Sequence, residues 1–82
     1  MDLVKLTEGI IKKLVVDSDS VSVKEFATDE ENTIQIEVLV SEDDMGKVIG
    51  RNGKIINSIR TIVQASSSIY DNKKVKINVD SY

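Results

Sequence analysis

Val48-Ile49-Gly50-Arg51-Asn52-Gly53-Lys54-Ile55-Ile56 is a two-glycine loop set between two amphipathic helical segments. Two glycines three apart let the backbone turn sharply and expose its N–H groups, with no side chain to hold another backbone at a distance. Arg51 and Lys54 are cations, so the turn favours an anion, and a helix starting just past Gly53 adds the partial positive charge of its N-terminus. A phosphate backbone is the natural partner. Two other phosphate loops are excluded by position. A Walker loop needs glycine where Val48 stands and Ser or Thr where Ile55 stands, and a dinucleotide fingerprint needs glycine again at Val48.

Working outward, Ser41 reads as an N-cap with Asp44 three residues on, starting a short helix over about 42–48 that ends at Gly50. Downstream, apolar residues at 55, 56, 59, 62 and 63 give the pattern of a core-facing helix over about 54–68. Ile34, Ile36, Val38 and Val40 alternate with Gln35, Glu37 and Leu39 as a clear strand, and Val75, Ile77 and Val79 alternate with Lys74, Lys76 and Asn78 as a final one. Residues 21–27 form another strand of unsettled phase: Val21 and Val23 share one face and Phe26 falls on the other, which a bulge near Glu25 would reconcile. Thr28 to Asn32 is an acidic hairpin connection. A first helix over about 2–15 carries Leu3, Leu6, Ile10 and Leu14, with Val4, Ile11 and Val15 as a second stripe. That wide face serves either a broad core or a dimer contact.

The predicted order is αββααβ, an α+β fold in one domain over residues 1–82. The β-αα-β connection is long enough for a right-handed crossover between parallel strands. We expect a three-stranded mixed sheet in the order 1-2-3, covered on one face by three helices.

Composition removes several functions. With no cysteine there are no disulfides or thiolate metal sites, and with no histidine there is neither the usual neutral-pH general base nor the commonest metal ligand. An enzyme is not expected, nor a cofactor, nor a metal. Ser66-Ser67-Ser68 reads as a helix end; Asp17-x-Asp19 fails as a calcium loop because Val21 and Ser22 stand where an oxygen ligand and glycine are needed. No apolar run approaches the ~20 residues of a membrane span, and the N-terminus lacks signal-peptide order, so a cytoplasmic chain without membrane contact is expected.

The net charge of −3 conceals a strong asymmetry. Residues 1–44 carry four lysines against twelve carboxylates, whereas residues 45–76 carry Lys47, Arg51, Lys54, Arg60, Lys73, Lys74 and Lys76 against Asp71 alone. Local potential within a Debye length of about 8–10 Å, rather than net charge, governs phosphate binding. The acidic half should moderate non-specific affinity.

The pair Val48-Ile49, then Gly50-Arg51-Asn52-Gly53, then Ile55, Ile56 and Ile59 resembles the KH family of single-stranded nucleic-acid binders, and αββααβ is the order of its type II form. The stretch Glu42 to Ile55, together with Ser58-Ile59-Arg60-Thr61-Ile62-Val63, is similar to the small single-domain bacterial KH proteins known as KhpA. In KH domains four nucleotides cross a narrow groove with the G-x-x-G turn clamping their backbone. Carried over, Gly50 and Gly53 let phosphates come close, the N–H groups of Arg51, Asn52 and Gly53 face them, and Arg51, Lys54 and Lys47 supply charge. Ile49, Ile56 and Ile59 are candidates for the apolar floor, with Ile59 better read as core. Backbone groups of residues 75–78 would read base edges, and Lys73, Lys74 and Lys76 would either extend the positive field or simply protect an edge strand. Few aromatics argue against a stacking platform and for modest affinity. The resemblance implies single-stranded RNA as ligand, a role as RNA chaperone or post-transcriptional regulator tied to cell elongation and division, and self-association or pairing with a larger KH-containing Jag-type protein (KhpB). The alternative is a protein-interaction or dimerisation module with the same fold and little RNA affinity of its own.

Overall fold

The computed structural model describes residues 1–82. Helix α1 (Leu3–Leu14) is opened by Asp2, whose carboxylate accepts from the Lys5 N–H at 3.1 Å, and Lys12 and Lys13 in its last turn complement the helix dipole. Both apolar stripes of α1 are used in packing. Leu3 and Ile11 are buried with Thr7 between them, and Val4, Leu6, Ile10, Leu14 and Val15 lie against the same core. The Thr7 hydroxyl donates to the Leu3 carbonyl at 2.8 Å, which is how a polar side chain survives there.

Strands β1 (Ser22–Phe26), β2 (Thr33–Val40) and β3 (Lys74–Ser81) form one sheet in the order β1-β2-β3, antiparallel then parallel. Between β2 and β3 run α2 (Met45–Ile49) and α3 (Lys54–Tyr70). The order αββααβ and the mixed sheet are as the sequence predicts. Ile34, Ile36, Val38 and Val40 of β2 form the buried row that Leu3 and Ile11 of α1, Val48 of α2, and Ile56, Ile59 and Val63 of α3 cover. Each such side chain contributes about 1.5–3 kcal/mol on burial, so a central strand with four of them anchors the three helices to one face.

Three expectations need correction. β1 has no bulge: pairing runs unbroken from Ser22 opposite Leu39 to Phe26 opposite Gln35. Keeping every ladder bond leaves Phe26 on the face without helices, 51% exposed, beside a shallow cavity lined by Ser22, Lys24, Glu37, Leu39 and Asp80. The helix after β2 starts as a 3₁₀ turn over Glu42–Asp44, and the Ser41 hydroxyl caps no backbone N–H but donates to Asp44 Oδ2 at 3.0 Å. Ile62 belongs to no core row; it is 49% exposed, because α3 sits over the edge strand and only the row Ile56, Ile59, Val63, Ser67 faces inward. Ser66-Ser67-Ser68 lies near the end of α3, as read from sequence, and Ser67 is fully buried there, its hydroxyl donating to the Lys73 carbonyl at 2.7 Å. β3 begins at Lys74 as expected and runs two residues past Val79, to Ser81.

Candidate nucleic-acid interface

The turn between α2 and α3 is built from three residues at positive φ. Gly50 ends α2 at φ 75°, ψ 177°, Asn52 lies at φ 57°, ψ 26°, and Gly53 at φ 74°, ψ 15°. The first is a conformation essentially reserved for glycine, while asparagine tolerates the left-handed region well. Gly50 is also a close-approach position, since a Cβ there would stand 2.6 Å from Ile55 Cγ1. The Gly50 N–H completes α2 by donating to Gly46 O at 2.9 Å. The Gly53 N–H donates to Gly50 O at 3.3 Å, which withdraws one of the three amides expected to face phosphate and leaves those of Arg51 and Asn52.

Lys47, Arg51 and Lys54 are all exposed around this turn. None has a carboxylate within ion-pair distance; the three ion pairs of the molecule are Met1 with Asp71, Lys12 with Glu8 and Lys76 with Glu30. An anion approaching this turn would meet cations that have no internal pair to break. Ile49 is half-buried beside the turn, whereas Ile56 and Ile59 are in the core and present little surface.

Lys74 and Lys76 are not brought to the turn. Val75 and Val79 pack on the core and Ile77 is buried in it, so by strand alternation residues 74, 76, 78 and 80 point to the face without helices. There Lys76 pairs with Glu30, whose carboxyl it holds below the usual range, and Asn78 donates to Glu37 Oε1 at 3.2 Å. The free edge of β3 is different again. Lys74 N–H bonds Asn32 O and Tyr82 N–H bonds Val40 O, so even-numbered residues of β3 address β2 and odd-numbered ones face outward. Two outward groups are already engaged by α3: Val75 N–H donates to Gln64 Oε1 at 2.8 Å, and Ile77 O accepts from Arg60 Nη2 at 2.9 Å and Nε at 3.2 Å. From sequence Arg60 counted only toward the positive charge and the family resemblance, and Gln64 was not singled out; their spacing of four on one helix flank, opposite a strand edge, was the available signal.

Asp44 fixes the entry to the turn. Although an acid, it is 2% exposed, and its carboxylate accepts from Asp17 N–H at 3.0 Å, from Val16 N–H at 3.1 Å and from the Ser41 hydroxyl. The two backbone donors outweigh desolvation and hold its carboxyl below the ordinary 3.8. One side chain thereby ties the start of α2 to the segment between α1 and β1. The acidic triplet Glu42-Asp43-Asp44 is a helix start, as read from sequence, with its third member acting as a long-range tether.

A family model described as KhpA/KhpB, KH domain, matches residues 4–79. The chain belongs to that family. It is 44% identical over 75 residues to the RNA-binding protein KhpA of Clostridium perfringens, covering 92% of this chain and 96% of that protein. It is 36% identical over 75 residues to the RNA-binding protein KhpA of Thermotoga maritima, covering 92% and 95% respectively. Among solved structures, Era in complex with MgGDPNP and nucleotides 1506–1542 of 16S ribosomal RNA superposes with a TM-score of 0.69 at 17% identity. That match covers 96% of this chain and 29% of the Era chain, and it shows the KH-like fold. A KhpA/KhpB-family domain with its two-glycine turn intact is therefore the frame for the site.

Proposed function

We propose that the chain binds single-stranded RNA, clamping its sugar-phosphate backbone on the turn Gly50-Arg51-Asn52-Gly53. The supporting observation is the turn itself: three positive-φ residues in four, exposed Arg51 and Lys54, and nearby Lys47, all without carboxylate partners. Arg51 and Asn52 amides approach the phosphates, Lys47, Arg51 and Lys54 neutralise them, and the half-buried Ile49 supplies the apolar side of the groove, with Ile56 buried behind it. Lys74 and Lys76, on the other sheet face, add long-range field only. With three or four phosphates neutralised, the log–log salt slope on single strands is about −2 to −3. Binding of this kind is sequence-tolerant and modest, which suits an RNA chaperone or post-transcriptional regulator in the cytoplasm, and a second module would raise it by avidity.

A second copy of the chain is the proposed source of that module. Ile55, Ile62 and Ile69 recur every seven residues along α3 with Ala65 between the last two, and Ile62 and Ile69 are 49% and 74% exposed. A heptad stripe of this kind is complementary to itself across a two-fold axis. A larger KH-containing chain presenting the same stripe would fit as well.

The decisive experiment is fluorescence anisotropy of a short single-stranded RNA pool with the native chain and Arg51→Asp/Asn52→Asp. Both positions are exposed, and Asp accepts the left-handed conformation of Asn52, so the variant keeps its circular dichroism. The double change removes three units of positive charge. At about 0.7 kcal/mol per unit charge some 6 Å from a phosphate in water, binding weakens by about 2 kcal/mol, or roughly 30-fold. Equal binding by both proteins would refute the clamp and leave the interaction module as the function.

A further inference from the structure

The free edge of β3 is covered by two side chains of α3 whose bonds are of the sort a base would make. Gln64 presents its amide to the strand as an adjacent donor and acceptor: Nε2 donates to Lys73 O at 3.0 Å while Oε1 accepts from Val75 N–H at 2.8 Å. One residue pair further along, the Arg60 fork donates to Ile77 O, and its Nη1 donates to Asn57 Oδ1 at 3.0 Å. An edge strand needs some cover against pairing with another strand. That need alone does not explain why the cover includes a guanidinium. Arg60 is exposed and has no carboxylate partner, so its charge is left uncompensated and acts within the protein only by strengthening bonds to neutral acceptors.

The position of this cover relative to the turn gives it a use. At 1.5 Å per residue, Arg60 lies about 10 Å and Gln64 about 16 Å along α3 from Gly53. Even at a stacked rise of about 3.4 Å per nucleotide, four nucleotides leading away from the turn reach about 14 Å. They must pass Arg60 and arrive at Gln64. The Gln64 bonds at this edge are neutral and weak, each worth about a two- to tenfold factor in an equilibrium; the Arg60 bonds are charge-assisted and stronger, but a phosphate is a better acceptor for a guanidinium than a carbonyl is, so a strand already held at the turn can displace both.

Resting on the RNA-clamp reading above, we propose that Gln64 and Arg60 are a removable cover on the nucleotide groove. In the free protein they occupy the outward groups of Lys73, Val75 and Ile77. In the complex a base edge takes the place of the Gln64 amide, and Arg60 leaves Ile77 O for a phosphate. Gln64 is then a positioning residue that sets the threshold for binding, and Arg60 a contact shared between the two states.

The test uses a ten-nucleotide single-stranded RNA pool of random sequence and the full chain. Gln64→Ala opens Val75 N–H and one of the two acceptor positions of Lys73 O, the other staying with the Ser67 hydroxyl, while favouring the helix, and we expect binding about three- to tenfold tighter than native with unchanged circular dichroism. Binding that is equal or weaker would overturn the cover. A parallel measurement on the native chain follows the Gln64 side-chain amide and Arg60 Nε signals by NMR. Displacement shifts them together with the Arg51 and Asn52 amides on RNA addition; loop amides that shift while Gln64 and Arg60 stay put would refute the proposal. The Arg51→Asp/Asn52→Asp protein separates the two readings. If it binds as well as native, the clamp itself has failed; if it binds poorly while Gln64→Ala gains nothing, only the cover has failed.

Discussion

Gly50 and Gly53 are equivalent in the sequence pattern and unequal in the structure, and replacing each by alanine should separate them. Gly50 sits at φ 75°, ψ 177°, where an alanine costs about 1–3 kcal/mol of backbone strain. Its new Cβ would also stand 2.6 Å from Cγ1, 2.9 Å from Cδ1 and 3.0 Å from Cβ of Ile55. Ile55 is β-branched and packed against the core, so it has few rotamers to retreat to, and overpacking of this kind costs about 1–3 kcal/mol more. The sum, about 2–6 kcal/mol, is a large share of the roughly 5–15 kcal/mol of a small domain. At about 4–8 °C per kcal/mol the melting midpoint drops by at least about 8 °C. Gly53 is at φ 74°, ψ 15°, and its added Cβ would meet only Asn57 Nδ2 at 3.7 Å and Ile56 Cγ2 at 3.9 Å. There the cost is the left-handed conformation alone, about 1–2 kcal/mol. Urea unfolding followed by circular dichroism compares the two. A Gly50→Ala protein within about 1 kcal/mol of native, or a Gly53→Ala protein hit as hard, would refute the geometry assigned to the turn.

Three further outcomes are expected. Because Asp44 ionises more readily folded than unfolded, its contribution to stability is complete above the ordinary carboxylate range and is lost as pH falls below 3.8 through its folded value; urea midpoints measured between pH 6 and pH 3 should fall more steeply for native protein than for an already weaker Asp44→Asn. Lys54→Gln should weaken RNA binding and flatten the salt slope by about 0.7, whereas Lys76→Gln, on the other sheet face and already paired with Glu30, should change the slope by less than half as much; titrations at several salt concentrations decide it. Ile62→Glu should leave the unfolding free energy of the monomer within about 0.5 kcal/mol of native, since surface substitutions away from the core are mild, and should hold the chain monomeric in sedimentation at concentrations where native protein associates.

Most of the fold was legible because its strongest signals are periodic. The four apolar residues of β2 alternate without interruption, and burial follows that alternation residue by residue. The turn was legible because glycine pairs have few uses. What was not legible depends on partners far away in sequence. Asp44 looks like an ordinary acid of a helix start, and nothing local says that it accepts from Val16 and Asp17, 28 and 27 residues earlier. Phe26 suggested a bulge because a large aromatic side chain is expected inside; the regular ladder to β2 prevailed and left it on the open face. Ile62 fitted a helical core pattern, but α3 covers an edge strand, so its inward row is narrow. For Lys74 and Lys76 the sequence left a wider positive field and a protected edge strand both open; the face they occupy depends on strand alternation, which sends them away from the helices once Ile77 is buried.

The arrangement of α3 reconciles two demands that would otherwise compete for one helix. At about 100° per residue, the inward row Ile56, Ile59, Val63 and Ser67 defines one direction. Arg60 and Gln64 fall on the flank toward β3, where their bonds to Val75 and Ile77 place them. Ile62, Ala65 and Ile69 fall on the opposite flank, roughly 150° around the helix from Arg60 and Gln64. A copy of the chain docked on the isoleucine stripe therefore leaves the β3 edge and the Gly50–Gly53 turn open. Two grooves can then work side by side, and because linked weak sites gain in avidity, a stripe mutation such as Ile62→Glu should weaken binding to a long RNA while leaving a four-nucleotide RNA unaffected. If short and long RNA lose affinity equally, the stripe and the groove are not independent, and the assignment of opposite flanks to opposite tasks is wrong.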